Sequence, residues 1–127
     1  VALEINGSNI LTSKISDSNS YTFVDLAKYM NNNVCNNIMQ VTKKAAKLLN
    51  IKNYARFDYR VTSNGEFYLI DIAGSPYLTR HSSIAYLFTN ILGINYNKIF
   101  SLLAALTNLN QLNDVNCKSD NKRPLEK

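Results

Sequence analysis

The sequence predicts an α+β fold, a twisted and mainly antiparallel sheet with helices packed on it. Three stretches carry that prediction. Residues 54–62 alternate apolar and polar side chains, then meet an Asn-Gly pair and a second apolar run, which is the pattern of a β-hairpin. Residues 34–49 set apolar side chains three and four apart, as an amphipathic helix does. Residues 81–109 hold two more apolar segments parted at Gly93, the pattern of a helix pair. With 46% hydrophobic and 18% charged residues and only 4 Gly and 2 Pro, the 127-residue chain has the composition of one folding domain, not of a disordered or fibrous sequence.

Taken in order, residues 1–5 and 10–15 are short apolar-rich runs on either side of Asn6-Gly7-Ser8-Asn9, so a first hairpin is expected there. Residues 17–20 read as a loop, and Tyr21, Phe23 and Val24 as a brief extended stretch leading to Leu26-Ala27-Lys28-Tyr29. Residues 31–33 offer an N-cap to the helix that follows. Its apolar stripe is Val34, Ile38, Val41, Ala45, Leu48 and Leu49, its far face carries Lys43, Lys44 and Lys47, and Asn50 stops it.

In the second hairpin Ala55, Phe57, Tyr59 and Val61 point one way and Tyr54, Arg56, Asp58 and Arg60 the other. Asn64-Gly65 suits a two-residue type I′ loop, and residues 67–72 return. Phe57, Tyr59, Val61, Tyr68, Ile70 and Ile72 are then the core-facing side. Pro76 ends the run. Residues 81–92 read as a helix closed by Gly93, and Asn95 caps another through Leu109 that buries Ile99, Leu102, Leu103 and Leu106. Residues 1–109 form the folded part, and residues 110–127 are expected to be a polar, disordered tail.

The net charge of +5, from 14 Lys and Arg against 9 Asp and Glu, permits an anionic partner. The basic residues are scattered, between Lys43 and Lys52 and again from Lys118 to Lys127, with no aromatic side chains interleaved, so no nucleic-acid partner is expected. No run approaches the roughly 18–20 apolar residues of a membrane span, and VALEINGSN lacks the basic-then-apolar order of a signal peptide. A cytoplasmic location without a membrane partner is the expectation. Cys35 and Cys117 have no His or Cys at metal-ligand spacing and read as free thiols.

The charged side of the second hairpin is the chemically suggestive part. A two-residue loop at Asn64-Gly65 sets Asp58 opposite Asp71 at a non-hydrogen-bonded position, with Cβ atoms about 4.5–5.5 Å apart. Two carboxylates about 5 Å apart repel by roughly 3 kcal/mol at an effective dielectric near 20, so a cation belongs between them. Mg²⁺ suits such a pair, because it binds through one or two carboxylates and completes its shell with water and phosphate oxygens. The bland alternative is an Asp–Arg surface network, since Arg56 and Arg60 share that face.

The segment YARFDYRVTSNGEFYLIDIAGSPYLTRHSS resembles the C-terminal part of the D-alanine–D-alanine ligases of the ATP-grasp superfamily, whose pattern is R-x-D, a hairpin turn, L-E-x-N, a Pro-containing loop and T-x-H-S. YTFVDLAKY is similar to the family's loop ending in A-K-Y, and Gly93-Ile94-Asn95-Tyr96 also follows the family, so the resemblance covers residues 1–109. It implies the C-terminal half of an ATP-grasp domain, and a reaction in which ATP phosphorylates the carboxylate of one D-amino acid before the amine of a second attacks the acyl phosphate. That step serves peptidoglycan precursor synthesis in the bacterial cell wall. The cofactors implied are ATP and Mg²⁺, and the partners are ATP, small amino-acid substrates and the N-terminal part of the enzyme that grips the adenine. A homodimer is one assembly the sequence permits.

By the same resemblance Asp58 and Asp71 are metal ligands, and Arg56 is the catalytic residue that steadies the acyl phosphate and the oxyanion. Lys28 contacts the transferred phosphate and Tyr29 orders the loop over the site. The backbone at Tyr77 lies near the oxyanion, and Ser82 binds the carboxylate of the second amino acid. Taken singly these residues have plainer readings, Lys28 as a solvated lysine, His81 as an orienting or capping residue and Ser82 as a helix N-cap.

Several positions depart from the pattern. Asp71 stands where the family has a ligating Glu, Ala73 where it has a ligating Asn, and Tyr77 where it has a Gly. Arg80 adds a cation near the mouth, and the stretch after Tyr29 is shorter than the usual lid loop. Metal binding is therefore expected to be weakened. The alternatives to a D-alanine–D-alanine ligase are an ATP-grasp ligase with a different acceptor and a non-catalytic ATP-grasp-like binding lobe.

Overall fold

The structure, a computed structural model, describes the backbone of residues 1–5 and 10–119 and the side chains of residues 1–5 and 10–111. In chain order the elements are β1 (Ala2–Ile5), α1 (Ser13–Asp17), β2 (Tyr21–Val24), a 3-10 turn (Leu26–Lys28), α2 (Asn32–Leu48), β3 (Arg56–Val61), β4 (Phe67–Ala73), α3 (Ser83–Tyr86), a π-helical turn (Leu87–Ile91) and α4 (Tyr96–Ser119). The fold is α+β and its strand pairs are antiparallel, as expected. The described strands form two separate two-stranded sheets, β1–β2 and β3–β4, where the sequence suggested one.

The first hairpin is not the expected one. β1 pairs with β2, Ala2 opposite Val24 and Ile5 opposite Tyr21, and not with residues 10–15. Those residues instead lead into α1, where Thr12 is the N-cap and its hydroxyl accepts from the Ile15 amide at 3.3 Å. The Thr-Ser pair there favours a helix start, while Tyr21 and Phe23 supply the aromatic side chains that stabilise cross-strand pairing. The expected turn at 6–9 lies outside the described residues.

α2 begins and ends where its sequence dictates. The Asn31 side chain accepts from the Val34 amide at 3.0 Å. Asn50 takes a left-handed φ of 53°, and the amides of Asn50 and Ile51 donate back to Lys47 O at 3.1 Å and Ala46 O at 2.9 Å, closing a Schellman motif. The buried stripe is rotated from the expected one. Val34, Ile38 and Ala45 are half-buried, but Leu48 is 87% exposed and Val41 and Leu49 also face solvent, while Cys35, Thr42 and Ala46 take places on the inner side. The Thr42 hydroxyl explains the rotation: it donates to Ile38 O at 2.7 Å and shares a 2.8 Å hydrogen bond with the Tyr59 hydroxyl, which anchors α2 over β3.

The β3–β4 hairpin forms with a different turn. The Gly65 amide donates to Thr62 O at 3.0 Å, the Thr62 amide to Glu66 O at 2.8 Å, and Gly65 has φ 83°, so the loop is the three residues Ser63-Asn64-Gly65. A type I turn followed by a left-handed glycine is the next commonest hairpin solution after the two-residue loop. The shift is undone further along: Val61, Arg60 and Tyr59 face Phe67, Tyr68 and Leu69, a bulge leaves Ile70 unpaired, and Asp58 then faces Asp71. Tyr68 and Ile70 therefore leave the core-facing side expected for them and are 57% and 65% exposed. Phe67, half-buried, takes their place and its ring meets that of Tyr59 edge to face at 5.9 Å, while Leu69 on the same side is 41% exposed.

Towards the C-terminus α3 passes into the π-helical turn, where the Leu92 amide reaches back to Leu87 O at 3.0 Å. Gly93 then reverses the chain with φ 67°, and the Asn95 carboxamide accepts from the Asn97 amide at 2.9 Å at the start of α4. The most buried apolar side chains, Ala85, Ile99 and Leu103, belong to α3 and α4. α4 continues through Ser119, beyond the stop suggested at Leu109, and residues 120–127 of the expected tail lie outside the described residues, as does the Cys117 side chain. The Asn110 carboxamide donates to Lys52 O and ties α4 to the loop after α2. No helix among the described residues is long and apolar enough to cross a membrane.

Gly65 is the tightest point of the second hairpin, because an added Cβ would stand 2.7 Å from Val34 Cγ2. Gly65→Ala is expected to lower unfolding stability in urea by about 1–3 kcal/mol, combining the left-handed φ with the clash. Adding Val34→Ala should restore part of the loss by removing the clash and leave the backbone strain.

Candidate functional site

The outward side of β3–β4 gathers charge because of strand periodicity and the bulge together. Arg56 and Asp58 are two residues apart on β3 and so share a face, and Asp71 stands directly across from Asp58. The Arg56 guanidinium grips Asp58 with two parallel bonds, Nε to Oδ1 at 2.7 Å and Nη2 to Oδ2 at 2.9 Å. Ala73 lies opposite Arg56 and contributes a methyl group only. The Asp–Arg network that the sequence offered as its bland alternative thus forms between Arg56 and Asp58.

Arg56 holds its proton more firmly than an ordinary arginine. The hydrogen bonds to Asp58 are the main cause, burial opposes them, and the charges of Asp58, Asp71 and, once ionised, Tyr21 add to the rise. The stability so gained is present below the pKa of an unfolded arginine and is lost only as pH rises through the raised value, so it is constant across the neutral range. About a third of each side chain is exposed, which limits the pair's worth to roughly 0–1 kcal/mol.

Tyr21 of β2 packs against the loop before α3. Its ring packs 4.8 Å from the His81 ring and 5.5 Å from Phe23, and Phe23 in turn lies 6.2 Å from Tyr86. The sequence marks Tyr21 and Phe23 only as an extended stretch. Their i, i+2 spacing is the signal that both point to one side of β2, where His81 sits between them and α3. Beside this cluster an open cleft of about 250 Å³ is lined by Thr22, Phe23, Arg80, His81, Ser82, Tyr86 and Asn90. Arg80 lies 4.3 Å over the Tyr96 ring, and the Tyr96 hydroxyl donates to Leu78 O at 2.5 Å, which pins the loop to α4.

Ser82, the expected carboxylate binder, is 7% exposed and is the N-cap of α3. Its hydroxyl donates to Thr79 O at 2.7 Å and accepts from the Ala85 amide at 3.2 Å. Lys28 ends the 3-10 turn, which Asp25 caps through a 3.0 Å bond from the Ala27 amide, and both Lys28 and Tyr29 face solvent. Tyr77 is 80% exposed. The structure therefore brings Arg56, Asp58 and Asp71 together, while no hydrogen bond or ion pair among the described residues joins Lys28, Tyr29 or Tyr77 to them.

The D-ala D-ala ligase C-terminus family matches residues 10–105, three quarters of the chain. This chain belongs to that family. The match spans α1 to α4 and includes β3, β4 and the loop to α3, so its ligase origin rests on the same elements that build the charged face. No curated protein and no solved structure matches the chain.

The ligase family normally uses ATP and Mg²⁺. Asp58 and Asp71 are hard oxygen donors facing one another, and they fit a divalent cation that fills its remaining positions with water and phosphate oxygens. They fit it sparingly, because Ala73 donates nothing, both Asp58 oxygens are bonded to Arg56, and no group of three or more His, Cys, Asp or Glu that could hold a metal occurs among the described residues.

Two substitutions separate scaffold from charge. Ser82→Ala is expected to cost about 1–2 kcal/mol in thermal or urea unfolding, since it removes a buried cap and a donor, with Ser82→Thr recovering most of it. Asp58→Asn should change stability by less than about 1 kcal/mol, because the pair it breaks is partly solvated.

Proposed function

We propose that the chain is the part of an ATP- and Mg²⁺-dependent carboxylate–amine ligase that handles the transferred phosphoryl group and the amino-acid ends. It joins two D-amino acids through an acyl phosphate, as D-alanyl-D-alanine ligation in peptidoglycan precursor synthesis does, and works in the cytoplasm with an ATP-binding N-terminal lobe. The observation that carries the reading is the arrangement of Arg56, Asp58 and Asp71 on one side of a hairpin inside the family-matched segment.

In this reading Asp58 and Asp71 hold the metal, which when bound neutralises charge on the phosphate oxygens. Arg56 presents fixed N–H donors to the acyl phosphate and then to the tetrahedral oxyanion, where preorganised donors are worth most. Ser82 meets the acceptor carboxylate by turning its hydroxyl proton from Thr79 O toward the cleft, which leaves its capping lone pair on the Ala85 amide. Lys28 and Tyr29, exposed on a short turn, come over the site when the nucleotide phosphates draw Lys28 inward. In the same reading the backbone at Tyr77, on the loop after β4, would lie near the oxyanion.

The second reading, a lobe that binds nucleotide or partner without catalysis, is favoured by Ala73 and by the tie of Asp58 to Arg56. Phosphate release from ATP with a panel of D-amino acids, measured on the full-length protein carrying this segment, separates the two. Ligation is expected, and the paired change Asp71→Glu and Ala73→Asn is expected to raise its rate by about tenfold or more, through a shell with more oxygen donors. Phosphate release absent from both forms would support the binding lobe.

A further inference from the structure

The loop that joins β3 to β4 holds a reactive pair in an arrangement that restrains it. An asparagine before a glycine can close on itself: the glycine nitrogen attacks the side-chain carbonyl, and the missing Cβ leaves that approach unhindered. At Asn64-Gly65 the electrophile is free and the nucleophile is tied. Asn64 is exposed, and among the described residues its carboxamide makes only a long contact, 3.5 Å, with the Ser63 hydroxyl. The Gly65 amide instead donates to Thr62 O at 3.0 Å, and Gly65 itself is held at φ 83° beside Val34. Ring closure needs that amide released, so the turn must open first.

We propose that Asn64 is a site of spontaneous conversion to isoaspartate, and that release of the Gly65–Thr62 hydrogen bond sets its rate. Hydroxide takes the Gly65 amide proton and the nitrogen attacks Asn64 Cγ. The new N–Cγ bond forms, the Cγ–Nδ2 bond breaks, and ammonia leaves with a proton from water, which restores the hydroxide. Water then opens the cyclic imide. Cleavage of the new bond gives aspartate, while cleavage at the Asn64 main-chain carbonyl carries the chain through Cγ and gives isoaspartate. Isoaspartate adds a methylene to the backbone of a loop whose length takes part in setting the strand register, so the product disturbs the hairpin that places Asp58 opposite Asp71. None of this chemistry depends on what the charged face binds.

The test incubates the chain folded in mildly alkaline buffer and, as the open reference, in guanidinium chloride at the same pH. Trypsin then releases residues 61–80, which contain a single asparagine, Asn64, so the peptide reports this site apart from Asn6-Gly7. Mass spectrometry with electron-transfer fragmentation reads the loss of the amide and tells isoaspartate from aspartate. Conversion to isoaspartate is expected in both samples, slower by about tenfold or more in the folded chain. The slowing should match, within about threefold, the protection of the Gly65 amide against hydrogen exchange measured by NMR, because both reactions need the same N–H released. Asn64 left intact beyond the time that exchange allows, conversion as fast in the folded chain as in guanidinium chloride, or a slowing unrelated to the exchange protection would overturn the proposal.

The product is tested in turn. The isoaspartate form carries one more negative charge than the parent and separates from it on cation exchange. It is expected to unfold at a lower urea concentration, since the lengthened loop gives up the bonds from the Gly65 amide to Thr62 O and from the Thr62 amide to Glu66 O. Asn64→Asp brings the same charge without the added methylene and is expected to unfold close to the parent. Equal urea midpoints for parent and isoaspartate form, or an Asn64→Asp variant that unfolds as early as the isoaspartate form, would refute the effect on the hairpin.

Discussion

The register of β3 against β4 is the constraint on which the rest of the charged face depends. A strand inverts its sides with each residue, so one residue more in the turn would by itself set Asp58 opposite Ile70 and send Asp71 to the other side. The three-residue loop at Ser63-Asn64-Gly65 adds that residue, and the bulge at Ile70 takes it up within four pairs. Between the two irregularities the hairpin shows Tyr68 to solvent and sets the Phe67 ring against that of Tyr59. Beyond the bulge the acidic pair is restored. Bulges recur where a sheet must re-aim a side chain, and this one lies immediately beside the residues the ligase reading needs.

The turn and α2 are mutually fixed. Gly65 leaves no room for a side chain against Val34, and the Tyr59–Thr42 hydrogen bond locks the middle of the same helix to β3. Since Thr42 takes the inner position, Val41 and Leu48 turn outward, which a purely apolar stripe would not do. A second scaffold is built on the aromatic contacts of Tyr21, Phe23, His81 and Tyr86 and on the Ser82 cap, and it places the cleft beside β2. Tyr21 belongs to this second scaffold, its ring tilted against that of His81 at 4.8 Å.

The departures from the family pattern cluster on one strand and its following loop. Asp71 is a methylene shorter than the family's Glu and Ala73 has no donor, while the Arg-x-Asp pair that faces them is kept. The surviving chemistry of the face is therefore weighted toward the arginine. With fewer oxygens to share, Asp58 is satisfied within the protein by Arg56, and any ligand must offer more than that two-armed bond already gives. The buried Ser82 hydroxyl shows the same economy: it serves the helix and the loop at once, so its helix-capping role is structural whatever it does toward a substrate.

What the sequence by itself determined is everything set by local period and local chemistry. The alternation in residues 54–62 made β3, the Asn-Gly pair made a hairpin, Asn31 and Asn50 bounded α2, Ser82 capped α3, and the R-x-D and T-x-H-S spacings named the family before its match to residues 10–105. Each of these depends on residues within a few positions of one another, so no distant surface could alter them. Only the tertiary structure decided the partner of β1, the third residue of the loop, the bulge at Ile70 and the rotation of α2. Those outcomes turn on which surfaces win contact with one another. A shift of one residue there reverses which side of a strand is buried, a difference that local pattern cannot weigh.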